Sequence, residues 1–236
     1  ADDIVGLLNG VDTSIWNPAV DGVLPARYSP ANMAGKQTCR TKLLKRCGFA
    51  AGFGGPIFGM ICRFTEQKGL DLVIANREFF TGQDCRLIVL GAGDQRIEDE
   101  LRALATEAPQ KISLSARLDE TMSHLIEAGC DFFLMPSLFE PCGLNQMYSQ
   151  VYGTVPVVSR VGGLVDTVID VGEQPDTGTG IMCEPNAGSL RAAMERALVL
   201  FADKPRYAAV QQRCMARDFG WKTAATGYEQ LYQESL

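Results

Sequence analysis

The sequence predicts an α/β fold: a Rossmann-like doubly wound parallel sheet of about six strands, with helices on both faces and a helical C-terminal tail. Short apolar runs recur from residue 57 to residue 182, and segments with helical spacing separate them. The runs are apolar at nearly every position, which is typical of parallel strands that crossover helices cover on both faces. We expect right-handed crossovers, because nearly all connections of this kind are right-handed.

The predicted elements alternate along the chain after residue 55. Strands are predicted at 57–61, 86–90, 111–114, 132–135, 155–159 and 180–182. The helices between them are predicted at about 69–79, 97–107, 121–128 and 144–152, with a short turn of helix after Gly163. Three helices form the tail, at 189–201 with Ser189 as its cap, at 205–217 and at 221–234.

Residues 1–54, before the alternation begins, are predicted to be an irregular lead-in or inter-domain segment. Residues 6–18 are expected to hold a short apolar strand that ends in turns, since Asn9-Gly10 and Asn17-Pro18 are strong turn signals. A helix is expected at 36–47, followed by a glycine-rich, hinge-like break. Residues 55–218 then form the predicted Rossmann-like domain, and residues 219–236 a C-terminal helix.

The composition indicates one large or two small globular domains with a substantial core. The chain has 236 residues, 46% of them hydrophobic, and a formal net charge of −6. Its 22 lysines and arginines are scattered, so we expect no nucleic-acid partner. No apolar run is long enough to span a bilayer, so we expect no membrane helix. We see no charged segment followed by an apolar one at the start of the sequence, so we expect no signal peptide.

The eight cysteines show no C-x-x-C spacing, which predicts free thiols in a reducing compartment. Several lie in or beside apolar runs, where a thiol packs as a small core residue. A structural zinc site is not expected, because His124 is the only histidine and the cysteines are far apart. The eight are Cys39, Cys47, Cys62, Cys85, Cys130, Cys142, Cys183 and Cys214.

One stretch, residues 135–153, combines the end of a strand, a tight turn and the start of a helix. This arrangement places Glu140 and free backbone N–H groups at the carboxyl edge of the sheet, where open α/β sheets bind ligands and helix N-termini attract anions. A carboxylate for hydroxyls and amides for phosphate together predict a polyhydroxyl ligand that carries phosphate. An ordinary loop with an acidic residue at a helix start is the alternative.

Two cations follow the first predicted strand. Arg63 stands at the carboxyl end of this strand and Lys68 at the mouth of the next helix. Such a pair suits a diphosphate leaving group, whose negative charge grows as its bond to a sugar breaks. The alternative that spacing alone leaves open is a pair of solvated surface charges.

Two glycine-rich turns and the single histidine are weaker candidates. Gly91-Ala92-Gly93-Asp94 follows the second strand and is predicted to be a tight turn at the nucleotide pocket, because it lacks the third glycine of the dinucleotide fingerprint. Gly162-Gly163 precedes a short helix and either presents amides to an anion or forms a plain turn. His124 has helical spacing with Leu125 and Ala128, which indicates a structural or pocket-edge residue.

No D-x-D arrangement of aspartates is present to bridge a metal ion to a diphosphate. We therefore expect no metal and no other cofactor, with Arg63, Lys68 and helix amides balancing the phosphate charge instead. An NAD-binding dehydrogenase is disfavoured, because no G-x-G-x-x-G follows the first predicted strand.

Five motifs, in order along the chain, resemble the donor-binding half of bacterial glycogen synthases and plant starch synthases. They are L-N-G-V-D from Leu8, R-x-x-x-x-K-G from Arg63, F-E-P-C-G-L-N-Q-M-Y from Phe139, Y-G-T-V-P-V-V from Tyr152 and V-G-G-L-V-D-T-V from Val161. The resemblance implies one half of a GT-B fold. It also implies a retaining glycosyltransferase that adds glucose from ADP-glucose to the non-reducing end of an α-1,4-glucan.

The resemblance assigns roles to the residues at matching positions. As the catalytic set, Glu140 holds the sugar hydroxyls while Arg63 and Lys68 neutralise the phosphates. Leu118 replaces an aromatic residue that usually stacks on the base, and so loses a contribution of about 1 kcal/mol. The wider superfamily has a second glutamate at the position of Tyr148. The glycogen and starch synthases have a tyrosine there, as this sequence does. The other donor-binding positions are Asn9, Gly91, His124, Cys142, Gly143, Leu144, Asn145, Gln146, Gly162 and Gly163.

The family's enzymes have two Rossmann-like domains, and the N-terminal one carries a K-x-G-G-L loop and most of the acceptor surface. No K-x-G-G-L occurs in this sequence, so we expect a donor-binding domain that binds nucleotide without elongating glucan, its last helix directed towards the other domain. A related glycosyltransferase that uses UDP-glucose or another acceptor is one alternative, and a non-catalytic nucleotide- or glucan-binding module is another. Bacterial cytoplasm is the expected location, or a plastid for a plant or algal protein.

Overall fold

The structure, a computed structural model, describes residues 5–234, and within them one sheet of six parallel strands forms the centre of the fold. The strands are β1 (Ile57–Phe64), β2 (Arg86–Gly93), β3 (Ile112–Ser115), β4 (Phe132–Met135), β5 (Val155–Ser159) and β6 (Ile181–Cys183). Their order in the sheet is β3-β2-β1-β4-β5-β6, so the winding direction reverses between β1 and β4. Doubly wound folds with this order bind ligands at the point of reversal.

Ten α-helices surround the sheet in the part of the chain from residue 5 to residue 234, and a 3₁₀ turn at Glu66–Lys68 follows β1. The helices are α1 (Ala34–Arg46), α2 (Leu70–Ala75), α3 (Arg77–Gly82), α4 (Gln95–Glu107), α5 (Glu120–Gly129), α6 (Asn145–Val151), α7 (Leu164–Thr167), α8 (Ala187–Ala202), α9 (Lys204–Met215) and α10 (Trp221–Glu234). The predicted fold class is confirmed. None of the described helices is long and apolar enough to cross a bilayer.

The strand side chains alternate between two hydrophobic layers, one on each face of the sheet. In β4, Phe132 and Leu134 belong to one layer, whereas Phe133 and Met135 belong to the other. Helices α2, α3, α4, α8 and α9 cover the first layer, and α1, α5 and α6 cover the second. Because both faces are buried, the central strands are apolar at nearly every position, and Arg63 near the end of β1 is an exception.

The predicted lead-in departs from expectation in its first part. Residues 6–18 contain no strand, and their backbone pairing with the rest of the described chain is an isolated bridge between Val11 and Gly220. The segment lies beside the start of α10 rather than at the edge of the sheet, so no strand runs alongside it to form a ladder. The predicted helix is present as α1, two residues earlier than expected.

Two helices differ from prediction because of asparagine side chains. The helix expected at 69–79 is broken at Asn76, whose side-chain amide donates to the carbonyls of Leu72 and Ala187, both at 2.9 Å. At the start of α8 the cap is Asn186 and not Ser189, since the Asn186 side chain accepts the Ser189 N–H at 2.9 Å. In each case an asparagine side chain forms a hydrogen bond with the backbone, and this bond sets a helix boundary that hydrophobic periodicity does not predict.

Helix α1 is joined to the sheet by a buried carboxylate at the amino ends of the strands. Asp131, directly before β4, forms an ion pair with Arg40 of α1 and accepts the backbone N–H of Ile57 at 2.8 Å. The Tyr207 hydroxyl of α9 donates to the Asp131 carbonyl at 3.0 Å. One residue therefore ties a helix from each face to β1 and β4, at the edge of the sheet opposite the one where ligands bind.

A second buried carboxylate, Glu127 on α5, has no hydrogen-bond partner for either oxygen among the described residues. Burial raises its pKa well above its ordinary 4.5, although the positive charge of Lys36 acts in the opposite direction. Burial likewise lowers the pKa of Lys36 to about 8. The Lys36 ammonium donates to Ala128, Tyr152 and Thr154 rather than to Glu127.

Replacing Glu127 with glutamine is expected to stabilise the protein increasingly as pH rises from 5 to 7. The folded protein keeps a proton on Glu127 that the unfolded chain has already released, so the wild type loses up to about 1.4 kcal/mol of stability per pH unit in this window. Lys36 is charged in both states below its lowered pKa and does not contribute there. Urea unfolding of both proteins at pH 5, 6 and 7 measures the difference, and a constant difference would contradict a neutral Glu127.

Candidate functional site

A cavity of about 330 Å³ lies where the winding of the sheet reverses, at the carboxyl ends of β1 and β4. The two strands pair only at Phe58 with Phe132 and at Gly59 with Phe133, and β1 then continues to Phe64 beyond its partner. The gap that opens between them is the cavity. Its lining residues are Met60, Ile61, Cys62, Arg63, Lys68, Leu134, Met135, Ser137, Glu140, Gly143, Leu144 and Asn145.

Lys68 and Glu140 form an ion pair on the wall of this cavity. Lys68 Nζ donates to Glu140 Oε2 at 2.6 Å, and the Ser137 hydroxyl lies 3.3 Å from the same oxygen. The two side chains are 18% and 8% exposed, so the pair is largely shielded from solvent. A pair in this setting orients both groups before any ligand arrives.

The loops that carry these two residues are fixed to each other. The N–H of Leu138 donates to the Gln67 carbonyl at 2.8 Å, and the Gln67 side-chain amide donates to the Phe139 carbonyl at 2.8 Å. Gly69 has a φ of +70°, and a Cβ at this position would overlap the carbonyl oxygen of Pro136. A glycine is therefore required for the turn after β1 to approach the loop after β4 this closely.

Arg63 supplies a second cation to the same cavity. Its side chain is exposed, and no hydrogen bond or ion pair involves it among residues 5–234. The Asn145 side-chain amide, also in the cavity wall, donates to the Ile61 carbonyl at 2.7 Å and thereby bridges α6 to the part of β1 that β4 does not pair. The cavity thus presents two cations and one carboxylate, a combination that suits a ligand with both phosphate and hydroxyl groups.

The Gly162-Gly163 turn packs against the loop that carries Glu140. The Gly163 N–H donates to the Glu140 carbonyl at 3.0 Å, so this amide is already used within the protein. A Cβ at Gly162, where φ is +45°, would overlap the Glu140 carbonyl oxygen, and a Cβ at Gly163 would meet Cys142. In this structure the two glycines shape the loop beside the cavity.

Three other predicted donor residues lie around the same loop without lining the cavity. Gln146 is buried, and its side-chain amide donates to the carbonyl of Cys142 at 2.9 Å and to the Thr167 hydroxyl at 3.1 Å. The Cys142 thiol accepts the N–H of Asn9 at 3.5 Å, which places Asn9 next to the loop. Gly143 and Leu144, by contrast, line the cavity itself, and Gly143 has the positive φ of +76° that a glycine permits.

His124 and Tyr148 are packed away from the cavity. His124 on α5 is 1% exposed and lies 2.7 Å from the Asp21 carboxylate. Both rings stack on Trp16, with centroid separations of 3.9 Å for His124 and 4.2 Å for Tyr148. Neither side chain lines the cavity in this structure.

The positions predicted for nucleotide contacts lie further along the carboxyl edge of the sheet. Gly91 belongs to β2, which continues to Gly93, so the predicted tight turn is instead the last part of a strand paired with β1. A Cβ at Gly91 would overlap the Cys62 carbonyl, which explains the glycine. Leu118 follows β3 and is 86% exposed, and it does not line the cavity.

Six lining residues were not predicted from the sequence: Met60, Ile61, Cys62, Leu134, Met135 and Ser137. Five of them lie in β1 and β4, and these two strands were themselves predicted. The missing information was the order of the strands, because only neighbours in the sheet enclose a gap. Burial raises the pKa of the Cys62 thiol to about 12, so this side chain lines the cavity as a neutral group.

The sequence profile of the glycosyl transferases group 1 matches residues 51–211, which include β1 to β6 and most of α9. The chain belongs to this family. Among residues 5–234 of this group 1 chain, no cluster of three metal-ligating side chains is found.

The group 1 chain is similar to bacterial glycogen synthases over nearly its whole length. It is 69% identical to the glycogen synthase of Opitutus terrae over 99% of this chain and 49% of that protein. Identity to the glycogen synthase of Aeromonas salmonicida is 44%, over 100% of this chain and 49% of the relative. The chain therefore spans about half the length of the curated relatives it matches.

Solved structures agree with the sequence comparisons. The catalytic domain of starch synthase IV from Arabidopsis thaliana, bound to ADP and acarbose, matches 99% of this chain and 49% of its own, with a TM-score of 0.93 and 31% identity. A glycosyltransferase from Rickettsia africae matches with a TM-score of 0.71 at 19% identity, which shows the shared fold alone. The predicted resemblance and the GT-B half fold are confirmed.

Proposed function

We propose that this group 1 chain is the donor-binding half of a glycogen or starch synthase and that its donor is ADP-glucose. The observation that carries the proposal is the convergence of Arg63, Lys68 and Glu140 on one cavity at the reversal of the sheet. Similarity to glycogen synthases and to a starch synthase that was solved with ADP supports the choice of donor.

In the proposed complex the two ends of the donor meet different walls of the cavity. The diphosphate lies against Arg63 and Lys68, whose charges balance its own without a metal ion. The glucose lies against the loop after β4, where Glu140 accepts hydrogen bonds from its hydroxyls. Because Lys68 is already paired with Glu140 at 2.6 Å, one cation orients both the sugar-binding carboxylate and the leaving group.

The proposed transfer proceeds on one face of the sugar with retention. The bond from the anomeric carbon to the phosphate oxygen breaks, and the acceptor hydroxyl oxygen forms its new bond to the same carbon from the same side. The acceptor proton passes to the departing phosphate oxygen, so the products are ADP and a glucan longer by one glucose. Arg63 and Lys68 stabilise the charge that develops on the phosphate as the bond breaks.

Leu118 bears on the choice of nucleotide. It is 86% exposed where the resemblance places a stacking aromatic residue, so this position offers little discrimination between bases. A second candidate donor is therefore UDP-glucose, in a related glycosyltransferase.

Calorimetric titration of the chain with ADP, UDP, ADP-glucose and a maltooligosaccharide tests both candidates. We expect ADP and ADP-glucose to bind at least about tenfold more tightly than UDP, a difference of about 1.4 kcal/mol. Preferential binding of UDP would replace ADP-glucose with the second candidate. Binding of the maltooligosaccharide without either nucleotide would indicate a non-catalytic glucan-binding module.

The proposed function assigns glucan binding mainly to the half of the relatives that this chain does not match. Alone, the chain is proposed to bind the donor without transferring glucose. Incorporation of radiolabelled glucose from ADP-glucose into glycogen by this chain would overturn that part of the proposal. We also propose a reducing compartment, the bacterial cytoplasm, because all eight cysteines lie within residues 5–234 and are free.

A further inference from the structure

A cluster with a buried polar centre, outside the cavity, joins the segment after Asn9 to helices α5 and α6. We name it the Trp16 cluster, and its members are Trp16, Asp21, His124, Tyr148 and Tyr152. At its centre, Asp21 Oδ2 accepts the Tyr152 hydroxyl at 2.6 Å and His124 Nδ1 at 2.7 Å. Asp21 Oδ1 accepts the N–H of Val23 at 2.8 Å, so both carboxylate oxygens are satisfied.

Trp16 connects the hydrogen-bonded centre of the cluster to Tyr148 on α6, because it stacks on both His124 and Tyr148. Its ring is nearly parallel to both partners, with interplanar angles of 11° to His124 and 10° to Tyr148. An apolar cluster would fill the same space, but hydrogen bonds to a buried carboxylate allow a single orientation of the rings. The cluster therefore specifies where α6 lies relative to α5 and to the segment that carries Trp16.

From Trp16 a continuous path of contacts leads to the loop that carries Glu140. Trp16, Tyr148 and Cys142 all pack against one group of buried residues, Val11, Met147 and Phe219, and Cys142 stands two residues after Glu140. The Cys142 thiol accepts the Asn9 N–H at 3.5 Å, which joins the chain that precedes Trp16 to the loop. Arg63 lies near the end of β1 and takes no part in these contacts, whereas Lys68 meets the end of the path through its ion pair with Glu140.

We propose that Trp16 is a positioning residue for Glu140, an inference that rests on the proposed function. Oriented by Asp21 and His124, Trp16 holds the loop from residue 140 to residue 143 where Glu140 meets the sugar. On the phosphate side it acts only through the ion pair of Glu140 with Lys68. The Trp16 cluster therefore governs affinity for the glucose part of the donor more than affinity for the nucleotide.

The test compares ADP-glucose with ADP as calorimetric probes of this chain. In Trp16→Ala we expect ADP-glucose binding to weaken by about tenfold, while ADP binding changes by less than about twofold. Trp16→Phe, which keeps a stacking ring, is expected to restore most of the lost affinity. Phe201→Ala is the matched control, since Phe201 is a half-buried aromatic residue that contacts Phe132 and Tyr207 on the other face of the sheet.

The outcomes separate a positioning role from a purely structural one. Equal weakening of ADP and ADP-glucose in Trp16→Ala, or no weakening of either, overturns the proposal. If Trp16→Ala does not fold, a selective loss for ADP-glucose in Trp16→Phe supports the proposal and an unselective one overturns it.

Failure of the proposed function is recognised separately, by a wild-type chain that binds neither ADP nor ADP-glucose. In that case the position of the Glu140 loop is monitored by the rate of hydrogen exchange at the Gly163 amide, which donates to the Glu140 carbonyl. We expect this amide to exchange faster in the Trp16 variants than in Phe201→Ala. An unchanged exchange rate at Gly163 overturns the positioning role without reference to any ligand.

Discussion

Replacing Lys68 with alanine is expected to weaken ADP binding by about 100-fold, which corresponds to about 2.7 kcal/mol. Two effects act together, because the variant loses a charge-assisted hydrogen bond to phosphate and leaves Glu140 without its counter-charge. Glu140 is only 8% exposed, so water replaces the lost ammonium poorly. Calorimetric titration with ADP measures the loss directly.

Two variants make this result specific to Lys68. Lys68→Arg keeps the charge and is expected to retain a substantial part of the ADP affinity. Lys45→Ala removes an exposed lysine on α1 and is expected to leave the affinity unchanged. Wild-type affinity in Lys68→Ala would remove this residue from the proposed phosphate site. In an enzyme with both halves, Lys68→Ala and Arg63→Ala are each expected to lower turnover strongly.

Replacing Gly69 with alanine is expected to lower the free energy of unfolding by about 3 kcal/mol or more. The residue has a φ of +70°, where a side chain is strained, and its Cβ would overlap the carbonyl oxygen of Pro136. The backbone strain costs about 1–2 kcal/mol, and the overlap forces a main-chain shift of similar cost. Urea unfolding measures the loss, and ADP titration shows whether the shift also displaces Lys68.

Gly48→Ala is the matched control for this prediction. Gly48 has a φ of +75°, close to that of Gly69, but no heavy atom lies within 4 Å of the Cβ that alanine would add. We therefore expect only the strain term, about 1–2 kcal/mol, and unchanged ADP binding. Equal losses of stability in the two variants would show that strain alone, without the contact to Pro136, explains the glycine at position 69.

Local sequence signals predicted the central elements well. The bounds of β4 and β5 agree with the apolar runs at 132–135 and 155–159, and α10 agrees with the periodicity at 221–234. The two strands are bounded by turn residues and buried on both sides, so local preference and tertiary environment coincide there. Agreement failed where a polar side chain acted on the backbone, as at Asn76, or where a segment had no neighbouring strand, as at residues 6–18.

The candidate site was predictable only in part. Arg63 and Glu140 were selected because each follows the carboxyl end of a predicted strand, and both line the cavity. His124 and Tyr148 were selected by resemblance, yet both stack on Trp16 outside the cavity. Trp16 and Asp21 carried no recognisable signal, because their partners lie on α5 and α6, more than 100 residues away.

The sequence by itself determined the strands and helices, the parallel sheet and the membership of a glycosyltransferase family, because each depends on local periodicity or on motifs read in order. The tertiary structure decided which strands are neighbours, and with them the gap between β1 and β4 that forms the cavity. It also decided the pairing of Lys68 with Glu140 across 72 residues. Such contacts depend on how distant segments pack, and no local preference specifies them.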